Sequence, residues 1–292
     1  MATRTELTPG ADVTGRTAIV AGSGILPVRV AESLEKQGRA PLLIPLKGDA
    51  DPSLYRYEHT EISVVEFAKL IRALKAGGVR NVILAGGVSS RPNFSDLRID
   101  GPTLAAIPRI LGALGKGDDA LLRAFIGLVE SYGFKVVGAH EIVPDLLAPA
   151  ARSLTAKKPG KDDWRNIELA REAARIIGVL DVGQGAVAVG GRVVALEGAE
   201  GTDAMLERIA DMRAARRIPQ KGGVLVKCAK PTQDERADLP TIGLSTVDNA
   251  ARAGLSGIAV EAGKTFILGF GETVAAANSK GLFIETFDPK PD

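Results

Sequence analysis

Short apolar runs that end in glycine turns, alternating with helical patterns, constrain this chain more than any other feature. Arg16–Gly24 reads RTAIVAGSG, and Leu26–Gln37 follows with Leu26, Val30 and Leu34 at helical spacing. Pro41–Leu46, PLLIPL, is a second apolar run, and Val64–Lys75 is helical by period. Val79–Gly86, VRNVILAG, is a third run with its own glycine turn. Leu121–Tyr132 is amphipathic, and Phe134–Gly138 reads as the next strand. Strands alternating with helices predict a parallel sheet with crossover helices. The runs are continuously apolar because such a sheet is buried on both faces.

Ala148–Asp163, APAARSLTAKKPGKDD, breaks the rhythm with two prolines, a glycine and several charges. We read it as a linker (148–163) between domains at 15–147 and 164–288. After it, Trp164–Ile177 is helical by period. Gly190-Gly191 between Ala186–Val189 and Val193–Leu196 signals a β-hairpin. Thr202 is placed to cap a helix over Asp203–Arg213, and Gly223–Cys228 reads as a strand. Helices at Thr246–Ala253 and Glu272–Ala277 alternate with strands at Gly257–Val260, Thr265–Ile267 and Leu282–Glu285. The expected fold is α/β: an N-terminal Rossmann-like parallel-sheet domain and a C-terminal mixed α/β domain.

Composition removes several function classes. Charge is nearly balanced at +2 and aromatic residues are 4% of 292 residues. Neither a basic stripe for a duplex nor a ring platform for single strands is present, so nucleic acid is not an expected partner. No apolar run reaches the roughly 18 residues of a membrane span. The polar start, MATRTELTPGADVTG, lacks the apolar centre of a signal peptide. The one cysteine, Cys228, rules out a disulfide framework within the chain, and we read it as a small buried hydrophobe.

Five segments carry candidate chemistry. In the first, Gly22, Ser23, Gly24, Leu26 and Pro27 form a strand-to-helix turn, a place where backbone N–H groups can meet an anion. Pro27 stands where the dinucleotide fingerprint has its third glycine, so the pattern is also that of an ordinary tight turn. In the second, Gly86 and Gly87 follow another strand, with Arg91 nearby to fork onto a phosphate. In the third, Asp118 and Asp119 precede a helix, where acids often serve only as caps. In the fourth, Gln184 lies in DVGQG, and Glu197, Glu200, Thr202 and Asp203 lie around EGTD. Clustered carboxylates repel unless a cation or proton is shared, and Mg²⁺ suits oxygen ligands and phosphates. In the fifth, Lys227, Lys230, Gln233, Asp234 and Asp238 lie in KCAKPTQDERADLP. Its lysines can neutralise phosphate oxygens, although salt bridges within a surface loop would explain it too. His59 reads as a solvated loop residue, and His140, after a strand, as a residue that can line a cleft.

The ordered set GSGILP, GGVSSRP, GKGDDALLR, GFKVVGAHE, DVGQGAV, EGTDAM and KPTQDERADLPTIG resembles the LpxI-type UDP-2,3-diacylglucosamine pyrophosphatases of lipid A biosynthesis, from about Gly15 to Phe287. The resemblance implies Mg²⁺-dependent attack of water on the phosphorus nearer the sugar. The products are UMP and 2,3-diacylglucosamine 1-phosphate (lipid X). It implies a UDP-binding N-terminal domain and a lipid X-binding, catalytic C-terminal domain. It also implies a cytoplasmic enzyme, peripheral at the inner-membrane surface.

Within that frame, Asp238, Asp234 and Asp203, in that order, are the candidate catalytic carboxylates. Glu200, Asp203, Asp234 and Asp238 are the candidate metal ligands. The acyl chains need an apolar groove, for which Val187, Val189, Val193 and Val194 are the candidates, although the same residues would serve a core. A homodimer is left open. The competing readings are a nucleotide-sugar oxidoreductase and a non-catalytic UDP-lipid-binding module.

Overall fold

The computed structural model describes residues 14–88, 118–231, 234–236 and 238–289. The chain divides into two compact units. The first comprises the described residues up to Asp145 together with Asp234–Asp238; the second comprises the rest.

The first unit is a parallel sheet. β1 (Arg16–Ala21), β2 (Leu42–Pro45), β3 (Val79–Ala85) and β4 (Lys135–Val136) lie in the order β2-β1-β3-β4, and each adjacent pair is parallel. α1 (Leu26–Lys36), α2 (Phe67–Ala76) and α3 (Asp118–Ser131) supply the crossovers, and the one-turn α4 (Ala139–Ile142) follows β4. β1 and β3 are buried along almost their whole length, as a sheet covered on both faces requires. Ala18, Val20, Ile44, Val82 and Leu84 from the strands pack with Leu70, Ile71 and Leu74 of α2 and with Ile126 and Val129 of α3. α2 starts at Phe67, three residues later than the periodicity of Val64 and Val65 suggests. Glu66 accepts the Ser63 N–H at 2.8 Å, which closes a turn just before the helix.

The second unit is the expected mixed α/β domain. Its main sheet has the order β5-β12-β10-β8-β6-β7, formed by β5 (Arg152–Ser153), β6 (Gly185–Val189), β7 (Arg192–Leu196), β8 (Val224–Lys227), β10 (Gly257–Glu261) and β12 (Phe283–Phe287). β8, β10 and β12 are parallel to one another; β5 runs against β12, β6 runs against β8, and β7, the second arm of the hairpin, reverses again. Gly190 and Gly191 both have positive φ, +61° and +80°, the conformation a two-residue hairpin turn needs. β9 (Thr241–Ile242) and β11 (Phe266–Ile267) form a small parallel pair.

Alternation along the strands sorts this unit's core into two layers. Ala186, Ala188, Val224 and Val226 face α5 (Lys161–Val179) through Ile167, Ala170 and Ala174. Val187, Val189, Leu225 and Ile258 pack with Met205, Leu206 and Ile209 of α6 (Gly201–Ala214) and with Val247 of α7 (Leu244–Arg252). Val187 and Val189 are therefore core residues and do not line an acyl groove. α8 (Phe270–Ser279) precedes β12.

The segment read as a linker carries β5 and the first turn of α5. Ser153 and Arg152 pair with Glu285 and Thr286 of β12, and Lys157 Nζ donates to the carbonyls of Ser256 and Gly281 at 3.0 and 2.9 Å. Among the described residues, no helix is long and apolar enough to cross a membrane.

Candidate active site

In the first unit, parallel pairing brings the C-terminal ends of β1, β2, β3 and β4 to one edge, where open α/β sheets hold their ligands. The two glycine turns meet there. Ser23 N–H donates to Gly87 O at 2.8 Å and Gly87 N–H to Ser23 O at 3.1 Å. The approach is so close that a Cβ on Gly22 would lie 2.2 Å from Gly87 O, and one on Gly86 2.4 Å from Ser23 O. This corrects the simplest reading of the turns. The amides of Ser23 and Gly87 hold each other, so the N–H groups left for an anion are those around Gly24 and the start of α1. Gly24 has φ +93° with open space about it. Leu26 opens α1, and Pro27, inside the first turn, has no N–H to give.

Asp118 is the first residue of α3. Asp119 is buried and paired with Arg123 one turn on. His59 is exposed, and its Nδ1 lies 2.8 Å from Tyr57 O. His140 follows β4 to the same sheet edge, and its Nδ1 is buried without a partner among the described residues. Arg91 and Gln233 lie outside the described residues.

Asp234–Asp238 groups with this first unit. Arg236 grips Asp234 with Nε on Oδ1 at 2.9 Å and Nη2 on Oδ2 at 2.7 Å, and its Nη1 reaches Glu130 of α3 at 2.7 Å. The guanidinium hydrogen bonds hold the Asp234 carboxyl below the ordinary aspartate range, and the two acids hold Arg236 firmly cationic. Asp238 is exposed.

The second unit gathers a buried polar network at the C-terminal ends of β8 and β10. Lys227 is the last residue of β8 and only 5% exposed. Its Nζ donates to Thr202 Oγ1 at 2.8 Å and to Thr241 O at 3.3 Å. The Thr202 hydroxyl in turn donates to Glu197 Oε1 at 2.6 Å. Glu197 is 6% exposed, and its Oε2 accepts the backbone N–H of Gln184 at 3.3 Å. Gln184 Oε1 is buried with no partner among the described residues. Pairing of β6 with β8 sets Gly185 opposite Lys227, which is why DVGQG and the lysine meet. A Cβ on Gly185 would come within 2.6 Å of Glu197 Oε2, so glycine is what lets the carboxylate in.

Thr202 is therefore not a cap. It lies inside α6, and Glu200 holds the cap position without a side-chain cap bond. Glu200 pairs with Arg208, and Asp203 is exposed and accepts from Asn249 Nδ2 at 2.7 Å. Lys230 pairs with Asp181 at 2.6 Å.

Two residues were not singled out from the sequence. Arg236 looked like one charge among many in DERAD. Glu261, at the end of β10, accepts the Ala229 N–H at 2.9 Å and shapes the loop after Lys227; no local pattern marks it. Cys228, just past β8, is 2% exposed, and burial, aided by Glu261, pushes its thiol up to about 12.

Among the described residues, no group of three or more His, Cys, Asp or Glu is placed to hold a metal ion. Mg²⁺ needs no such cage, since it commonly takes one or two carboxylates, waters and substrate phosphates. Glu200 and Asp234 are engaged by arginines. Asp203 and Asp238 are exposed, as is Glu200, and hard oxygen donors of this kind suit that ion.

The sequence matches two family models, the LpxI N-terminal domain over residues 16–146 and the LpxI C-terminal domain over residues 150–285. It is 45% identical over 278 residues to the UDP-2,3-diacylglucosamine pyrophosphatase LpxI of Caulobacter vibrioides, covering 93% of this chain and 97% of that protein. With both halves matched in order and one relative matched almost end to end, the chain belongs to the LpxI family.

Proposed function

We propose that this protein hydrolyses the pyrophosphate of UDP-2,3-diacylglucosamine to UMP and 2,3-diacylglucosamine 1-phosphate. The observation that carries this reading is the 45% identity across nearly the whole length of the Caulobacter pyrophosphatase. Water attacks the phosphorus nearer the sugar, a new P–O bond forms, and UMP departs with the bridging oxygen.

The two units supply complementary chemistry. In the first, the open backbone at Gly24 and the start of α1 suits the UDP portion. In the second, Lys227 suits a phosphate oxygen, since an ammonium has three N–H donors and two are assigned. The buried orphan acceptor Gln184 Oε1 suits a hydroxyl or amide N–H of the sugar.

Asp238 is the carboxylate assigned to orient and deprotonate the water. Asp234 is a poorer base, because Arg236 stabilises its charged form. Bound Mg²⁺, with Asp203 as the carboxylate assigned to hold it, would neutralise charge on the phosphate oxygens.

The lipid substrate also requires a surface that meets a bilayer. Ile176, Val179 and Leu180 recur at helical spacing at the end of α5 and are exposed, as is Val182. That stripe supports a peripheral, non-spanning association.

Incubation with UDP-2,3-diacylglucosamine, Mg²⁺ and detergent in ¹⁸O-water tests the reading. Label is expected in the sugar phosphate and none in UMP. Intact substrate would overturn the activity, and label in UMP would overturn the site of attack.

A further inference from the structure

We infer that Glu197 is a positioning residue. Its two carboxylate oxygens fix, at one sheet edge, the ammonium donor of Lys227 and the backbone that carries the acceptor of Gln184. The inference rests on the proposed function and adds to it a residue that touches no substrate.

The geometry is that of a relay of orientation. Glu197 Oε1 takes the Thr202 hydroxyl hydrogen at 2.6 Å. A hydroxyl has one hydrogen, so this bond leaves the oxygen lone pairs of Thr202 to receive Lys227 Nζ at 2.8 Å. Without Glu197, the hydroxyl would be free to rotate, and its hydrogen would compete with the ammonium for the same space. Thr241 O takes a second ammonium hydrogen at 3.3 Å. Two of the three directions of the ammonium are thereby set, and the third follows from tetrahedral geometry.

Glu197 Oε2 meanwhile accepts the Gln184 N–H at 3.3 Å, which anchors the residue whose side-chain Oε1 is buried without a partner among the described residues. One buried carboxylate thus sets the spacing between a cationic donor and a neutral acceptor. That pairing suits a sugar phosphate, in which an anionic oxygen lies near hydroxyl and amide hydrogens.

The arrangement is specific to a carboxylate. The two bonds need an acceptor at each end, and Gln in place of Glu would turn one end into a donor facing either the Thr202 hydroxyl or the Gln184 N–H. Glycines at 183 and 185 make room for it: a Cβ at Gly183 would meet Glu197 O at 2.2 Å, and one at Gly185 would meet Oε2 at 2.6 Å. A buried charged cluster with a purely structural role would cost stability on removal and nothing more.

The test is a double-mutant cycle on the full chain, with UDP-2,3-diacylglucosamine as substrate. E197Q and T202V are each expected to lower kcat/KM by about tenfold or more, the scale of a lost hydrogen bond to a charged group. T202S, which keeps the hydroxyl, is expected to stay within about threefold of wild type on the same reasoning. The decisive arm is the coupling: E197Q is expected to have a clearly smaller further effect once Lys227 is replaced by Met, with only the share that runs through Gln184 remaining. Equal losses from E197Q with and without Lys227 would overturn the inference, as would T202S failing as badly as T202V. Should E197Q fail to fold, the T202V and T202S pair, each combined with K227M, decides the same question. Wild type inactive on this substrate would instead overturn the proposed function, and the inference with it.

Discussion

Arg236 holds Asp234 by both carboxylate oxygens, at 2.9 and 2.7 Å, and so separates the two aspartates of DERAD that look equivalent in the sequence. One is fixed as the partner of a cation, and the other, Asp238, is exposed. Asp238→Ala is expected to reduce turnover by about 10²-fold or more, the scale of a lost general base, with the unfolding transition unchanged. Asp234→Asn is expected to cost about tenfold, through the lost grip on Arg236. Steady-state kinetics on both variants checks the order; a larger loss at Asp234 would reverse the assignment.

The same clasp has a defined response to acid. Asp234 is held below its ordinary value of 3.8, first by the hydrogen bond from the Arg236 side chain. A depressed carboxyl contributes stability that is fully present above 3.8 and is lost as pH falls through the lower folded value. The ¹³C resonance of the Asp234 carboxyl is expected to inflect below 3.8 in the wild type and to move back up in Arg236→Met. An inflection at or above 3.8 in the wild type would show that the clasp does not form in solution.

Cys228 gives a simple probe of integrity. Its thiol is buried and pushed up to about 12, first by desolvation, and the thiolate is the reactive form. At pH 8 the native protein is expected to be silent toward an aromatic disulfide reagent. The chain in denaturant is expected to release one equivalent, from its one cysteine. Rapid reaction of the native protein would show that the end of β8 opens readily.

The mutual hold of the glycine turns is also measurable. Gly86 has φ +90° and leaves only 2.4 Å between an added Cβ and Ser23 O, whereas Gly24, at φ +93°, has open space. Gly86→Ala is expected to destabilise by more than the roughly 1–3 kcal/mol of backbone strain alone. Gly24→Ala is expected to show the strain only. Urea unfolding of the pair separates the two contributions, and equal losses would mean that the close approach is relieved by movement.

The parallel sheet was legible because its signal is local: apolar runs, glycine at each exit, and helical spacing between. Leu26–Lys36 and Val79–Ala85 follow the pattern almost to the residue. What escaped is set by which partner each side chain meets once the chain has folded. Thr202 has the residue type and place of a cap, but its hydroxyl goes to Glu197 because the β7–α6 turn folds back on itself. Val187 and Val189 have the composition of a groove or of a core, and only the packing of α6 and α7 decides between them. The carboxylates of the second half read as one acidic group, yet each has its own partner: Arg208 for Glu200, Asn249 for Asp203, Arg236 for Asp234.

The pairing of β5 with β12 has a practical corollary for anyone who wishes to cut the chain in two. A C-terminal fragment starting at Trp164 would discard Arg152 and Ser153, the Thr155 hydroxyl that receives the Ile284 N–H at 2.9 Å, and the opening turn of α5. The newly bared flank of β12, carrying Phe283, Ile284 and Phe287, would then be an open edge ready to recruit another copy. A fragment that begins before Ala148 keeps that flank closed.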